Sequence, residues 1–212
     1  MFDPGANLSL DENPNGVWQY GHTVAETLEP SAFRPDEYEY HDGAFPVSFW
    51  QPSAAIHFPY IAGHHRSQAV EYAPPWPATS PNAGTKRPGW IVRPGQLAME
   101  ASNTGQYSVV RFTAPAAGKY HVSALFEGIH CGLSTTDVHV MHGTQTLFSA
   151  DIDGYGGDPA FHRIQGANPT AVYAGTVELH VGETIDFAVG YGSNRTHYND
   201  TTGLSVRLEL SR

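Results

Sequence analysis

The second half of the chain alternates. From Tyr107 onward, apolar and polar residues exchange places with a period of two, and few folds accept that pattern over so many residues. In YSVVRFTAP (107–115), Val110 and Phe112 oppose Val109, Arg111 and Thr113. In GKYHVSALFEG (118–128), Tyr120, Val122, Ala124 and Phe126 take one face, while His121, Ser123, Leu125 and Glu127 take the other. TDVHVMHGTQTLFSADI (136–152) reads as two strands joined at His142-Gly143-Thr144. GTVELHVGETIDFAVG (175–190) sends Val177, Leu179 and Val181 inward, turns at Gly182-Glu183, and resumes with Ile185, Phe187 and Val189. TGLSVRLELSR (202–212) puts Leu204, Val206, Leu208 and Leu210 on one face and Ser205, Arg207 and Glu209 on the other. A period of two over short segments separated by turns marks half-buried antiparallel strands, so the expected fold is all-β: an antiparallel β-sandwich of jelly-roll type.

The first part is less regular. Strands are expected at 16–24, 45–51, 55–61 and 89–93, and GQLAMEAS (95–102) reads as at most one helical turn. The segment EYAPPWPATSPNAGTKRPG (71–89) carries too many prolines for regular structure, and a loop of that length in a compact domain is usually functional or mobile. Glycine (22) and proline (16) are spread along the whole chain, as many turns require. The 212 residues therefore read as one domain, loop-rich over 1–88 and regular over 89–212. An N-terminal extension wrapped over a sandwich that starts near residue 89 is the other arrangement.

Charge narrows the partners. The net charge of −10 leaves no basic surface to neutralise phosphates, so neither nucleic acid nor an anionic membrane is expected as a partner. No apolar run reaches the roughly 18–20 residues of a membrane span, and Met1-Phe2-Asp3-Pro4 does not read as a signal peptide. A single cysteine, Cys131, rules out an internal disulfide and a CxxC metal site, and reads as a buried inert thiol. Composition does not settle the oligomeric state.

Five phrases are similar to those of a recurrent bacterial domain of undefined function. They are NPNGVWQYG (13–21), RPG (93–95), SVVRFTAPAAGKY (108–120), GETIDFAVG (182–190) and NDTTGL (199–204). The family they resemble occurs in planctomycete proteins and in exported proteins with PEP-CTERM sorting signals. The resemblance implies an exported β-sandwich, secreted or periplasmic, similar in shape to carbohydrate-binding modules, and it supplies no catalytic residue. Arg93 stands where the family has His, and no sorting helix follows residue 212.

Chemistry-bearing residues were weighed against plainer roles. Asn13 before the first strand, with Asn199 and Asp200 before the last, offers hard oxygen ligands, and a structural Ca²⁺ bridging the two strands is expected there. The alternative is an Asx turn at Asp200. The loop ADIDGYGGDPAF (150–161) lacks the closing Glu of a calcium loop, which makes Tyr155 a sugar-stacking candidate instead. Trp50 and Trp76 are read as exposed platforms, Trp90 as core, and Trp18 and Tyr20 as plugs at the end of the sandwich. The turn at 13–16 is expected to place the first strand beside the last, near Asp200. Twelve histidines leave a His-ligated, cupin-like metal enzyme as a rival, although His139 and His142 fall on opposite faces of a strand. No nucleophile elbow is present. The resulting expectation is a non-catalytic domain that binds carbohydrate through Trp50, Trp76, Arg93 and Tyr155. A structural subunit of an exported assembly is a third reading.

Overall fold

Inward rows of large apolar side chains make two sheets face each other. The computed structural model describes residues 1–9, 11–41, 44–73, 89–159 and 165–211. Its strands are β1 (Trp18–Thr23), β2 (Phe33–Pro35), β3 (Tyr38–His41), β4 (Ser48–Gln51), β5 (Tyr60–Gly63), β6 (Val70–Tyr72), β7 (Trp90–Val92), β8 (Leu97–Glu100), β9 (Ser108–Thr113), β10 (Gly118–Gly128), β11 (Ser134–His142), β12 (Gln145–Gly154), β13 (Thr170–Leu179), β14 (Thr184–Val189) and β15 (Thr202–Leu210). The first sheet runs β12-β11-β14-β9-β1-β2 and the second β13-β10-β15-β8-β5-β4-β3. Every pairing between these strands is antiparallel. The chain changes sheet at most connections after β8, and this is the wiring of a jelly-roll sandwich.

The main core lies between the sheets. Trp18, Tyr20, Val110, Phe112, Ile185 and Phe187 come from the first sheet. Ile61, Leu97, Met99, Tyr120, Phe126, Leu204 and Leu208 come from the second. Trp18 is 1% exposed, and its ring sits 5.2 Å from that of Phe112. It is a plug. The predicted hairpin at 142–144 forms, the turn at 182–183 forms and carries the chain from one sheet to the other, and the inward residues of β10, β14 and β15 are those the alternation selects.

A second core coats part of one outer surface. Phe49, Tyr60, Ala62 and Ala98 point away from the main core and meet Val70, Trp90 and Val92. The last three belong to β6 and β7, a two-stranded ribbon. Trp90 stacks on Tyr72 at 4.8 Å between ring centres, and Trp90 is thus core, as its sequence context suggested.

The structure corrects several expectations. Residues 97–100 form a strand, not a helical turn, and the strand expected at 55–61 is Tyr60–Gly63. Val181 is 68% exposed, because β13 ends at Leu179 and Val181 belongs to the turn. The first strand does not pair with the last: β1 lies between β9 and β2, whereas β15 lies in the other sheet. Instead Phe2 bridges Leu208, with backbone hydrogen bonds of 2.8 and 3.0 Å. Strands from residues 1–88 hydrogen-bond to strands from residues 89–212 in both sheets, through β1 with β9 and β5 with β8.

Trp18 is fully buried in the main core against Phe112, so Trp18→Ala is expected to cost about 3–5 kcal/mol. Urea unfolding at equilibrium measures it, and a loss under 1 kcal/mol contradicts the packing described.

Candidate functional site

The ribbon covers the outer face of the second sheet over β8, β5 and β4, and leaves the face over β13, β10 and β15 to solvent. Register sets the exposed side chains in rows. Thr176, His121 and Glu209 form one row. Ala174, Ser123 and Arg207 form the next, then Val172, Leu125 and Ser205. Beyond them the face closes: Glu127 and Gly203, in register with Thr170, are buried. Rows two residues apart are separated by about 7 Å, so the three exposed rows span about 14 Å.

Two adjoining depressions of about 380 and 390 Å³ lie on this face and share Ser123 and Arg207. One end is walled by Asp3, Pro94 and Gly95. That wall is fixed by backbone: a Cβ added to Gly5 would fall 2.1 Å from the Gly95 carbonyl oxygen, and Asp3 Oδ1 accepts from the Gly5 N–H at 2.9 Å. At the other end His121 contacts Thr176 Oγ1 through Nδ1 at 3.0 Å and Ser211 Oγ through Nε2 at 2.8 Å. Arg207 is exposed and has no carboxylate partner among the described residues. The floor is built of short or aliphatic side chains between hydrogen-bonding groups.

Of the residues predicted to bind ligand, two are buried. Trp50 is 6% exposed; its indole N–H donates to the Ser9 carbonyl at 3.0 Å and its ring belongs to the main core. Tyr155 is 1% exposed. Neither offers a ring to solvent: Trp50, on β4, packs into the main core, and Tyr155, just past the end of β12, is enclosed. Trp76 lies outside the described residues. Arg93 is half-exposed and pairs with Glu127, whose Oε2 also accepts from Gln96 Nε2 at 2.8 Å. It opens the turn between β7 and β8 that supplies Pro94 and Gly95. Arg93 and Tyr155 do come together: burial, with the Asp158 charge, pushes the phenol up to about 12, and the guanidinium pulls against that rise. The residues of the open face were legible as outward-facing; the missing signal was that a ribbon would cover their neighbours.

The three expected calcium ligands do not share a site. Asn13 donates to the Tyr20 and Asp36 carbonyls at 2.6 and 2.9 Å, on β1. Asp200 accepts from Thr135 N–H and Oγ1 at 2.7 and 2.9 Å, on β11. Strands β9 and β14 lie between, so three steps of about 4.8 Å put some 14 Å between them. Asn199, next to Asp200 in the chain, packs against Gly132. The histidines are also dispersed: His22 pairs with Asp36, His139 with Asp137, and His142 with Glu183. Among the described residues no group of three His, Cys, Asp or Glu is placed to hold a metal ion.

Asp200 instead belongs to a buried polar network. Glu100 Oε2 accepts from Tyr60 and Thr201 hydroxyls at 2.8 and 2.6 Å, and His197 Nδ1 lies 3.5 Å from Glu100 Oε1. Burial raises the Asp200 pKa to about 7; the two Thr135 hydrogen bonds oppose the rise, and the nearby Glu100 charge adds to it. Asp36, raised to about 6 by burial, acts in the same direction. A raised carboxyl binds its proton more tightly in the folded chain, so its contribution to stability is complete below pH 4 and is lost as pH rises towards 7. Buried His64, whose pKa is lowered, works the opposite way. The Asp200→Asn variant is therefore expected to gain stability relative to the parent between pH 4 and pH 8, by on the order of 2 kcal/mol. Denaturant unfolding of both proteins across that range checks it, and a constant difference refutes it.

No protein-family model matches the chain, and no curated protein matches it. Solved structures share parts of its outline. One is a carbohydrate binding module from Cellvibrio mixtus lichenase 5A in complex with cellotriose, 11% identical over 55% of this chain and 79% of that one, with a TM-score of 0.31. Another is a family 35 carbohydrate binding module from Clostridium thermocellum, 13% identical over 54% and 78%, with a TM-score of 0.32. A third is rabbit GITRL, 9% identical over 48% and 71%, with a TM-score of 0.28. Likenesses this loose carry no argument about what the chain does.

Proposed function

We propose that the open face of β13, β10 and β15 binds an extended carbohydrate. The observation that carries this reading is the asymmetry of the second sheet: one half of its outer face is sealed by aromatic packing, and the other is a walled groove of hydrogen-bonding groups over aliphatic rows. Pyranose rings are amphipathic. Their C–H faces suit Leu125, Val172 and Ala174, while their hydroxyls need donors and acceptors such as Arg207, Glu209, Ser123, Ser205 and His121. A span of about 14 Å accommodates more than a single sugar ring. Loop aromatics contribute less than the sequence suggested, since Trp50 and Tyr155 are buried.

Binding without chemistry is the role this face supports. The exported setting implied by the phrases at 13–21 and 108–120 suits a binder of extracellular glycans. No helix among the described residues is long and apolar enough to cross a membrane.

Affinity electrophoresis against a panel of neutral and acidic soluble polysaccharides tests the reading. At least one polysaccharide is expected to retard the protein. Arg207→Ala is expected to weaken that binding about tenfold or more, the worth of one or two hydrogen bonds to a charged group. Ser123→Tyr is expected to block the groove. No retardation in any gel, or full binding by both variants, overturns the proposal.

A further inference from the structure

The hairpin of β3 and β4 sets three polar side chains in a line far from any role in glycan binding. His41 and Ser48 are opposed across the hairpin, and Ser48 Oγ lies 2.7 Å from His41 Nδ1. Glu39 stands two residues earlier on the same strand and therefore on the same face. Its Oε1 lies 2.9 Å from His41 Nε2, an ion-pair contact off the hydrogen-bond line. Such looseness is common before substrate tightens a site. A hydroxyl, an imidazole and a carboxylate touching in that order is the arrangement that turns a serine into a nucleophile. Here Nδ1 faces the hydroxyl and Nε2 the carboxylate. Either nitrogen of a neutral imidazole can act as base while the other holds the proton.

The line opens into a cavity. Ser48 and His41 border a hollow of about 450 Å³, with Phe45 and Pro46 on an apolar side and His65 and Arg66 on a polar side. His64 braces the polar side. Its Nδ1 accepts from the Arg66 N–H at 3.0 Å, so Nε2 carries the proton and donates to the Val92 carbonyl at 3.1 Å. His65 Nε2 donates to the Leu8 carbonyl at 2.9 Å. The backbone of 64–66 is held in this way, and it presents Arg66, which has no carboxylate partner among the described residues.

We infer that Ser48, His41 and Glu39 form an acyl-transfer site for small carboxylic esters, with Arg66 as the group that stabilises the carbonyl oxygen. Ser48 Oγ attacks the ester carbonyl carbon while His41 Nδ1 takes the hydroxyl proton, and the oxyanion forms beside Arg66. The C–O bond to the alcohol then breaks, His41 returns the proton to the departing alkoxide, and the acyl group stays on Ser48. Water attacks next and gives a proton to His41. The carboxylic acid leaves as Ser48 Oγ regains that proton. No oxidant, reductant or cofactor enters. The Phe45 and Pro46 wall suits the acyl group. Glu39 is a positioning residue that holds the His41 tautomer.

Two measurements on the full chain test the inference. A fluorophosphonate probe is expected to label the protein once, with mass spectrometry placing the adduct on Ser48. Hydrolysis of p-nitrophenyl acetate is expected to fall on the order of 100-fold in Ser48→Ala, with the melting temperature and polysaccharide retardation unchanged. Glu39→Gln is expected to lower kcat and leave KM unchanged, the split expected of a residue that positions His41 without touching substrate. The other groups around His41 are Ser48 on β4 and His64, His65 and Arg66 beyond β5, and Asp11 acts on Glu39. An adduct elsewhere, no adduct, or equal hydrolysis by Ser48→Ala and the parent overturns it. The labelling arm uses the unmodified protein, so a misfolded variant decides nothing.

Discussion

The stack of Trp90 on Tyr72, 4.8 Å between ring centres, divides this protein into a sealed side and an open one. A two-layer sandwich normally leaves both outer faces in water. Here Phe49, Tyr60, Ala62 and Ala98 point outward from the second sheet and would be exposed without a cover. The ribbon of β6 and β7 provides it, and Phe49 meets Tyr60 and Tyr72 edge-on at 5.3 Å. Everything that distinguishes the molecule from a plain sandwich follows from where that cover stops. Beyond it lies the groove of Ser123 and Arg207, and on its flank lies the cavity bordered by Ser48.

The same cover decides what could be read from the sequence. Strands β10, β12, β13 and β15 carry exposed residues, and alternation is plain in Tyr120, Val122, Ala124 and Phe126. Strands β4, β5 and β8 are buried on both faces at every residue. With no wet face there is no period of two, and Leu97-Ala98-Met99-Glu100 resembles a helical turn. Trp50 differs from expectation for a related reason: on a strand with no wet face nothing local shows that its ring turns into the main core. Arg207 and Ser123 could be seen facing outward, but nothing local marks their face as the one left uncovered. Ser48 pairs with His41 across a hairpin whose register no short motif records.

Polar groups inside the fold are handled in two ways. Arg111 and Asp186 form a two-pronged ion pair on the outside of the first sheet, at 2.7 Å for each contact, with the guanidinium 4.0 Å above the Phe33 ring. Glu100, Tyr60 and Thr201 form a closed hydrogen-bonded set between β5, β8 and the start of β15. The first is satisfied by opposite charge. The second gathers hydroxyls around a carboxylate and places another carboxylate, Asp200, close by; burial is what chiefly raises the proton affinity of Asp200, and the Glu100 charge adds to it.

The ends of the chain sit at the two ends of the groove. Asp3 forms part of its wall, and Ser211 Oγ reaches His121 at the opposite rim. A purification tag joined at either end therefore begins at the mouth of the groove, and a histidine-rich or charged tag would compete there with any sugar. A tag is better carried on the turn at Gly143-Thr144, on the opposite sheet.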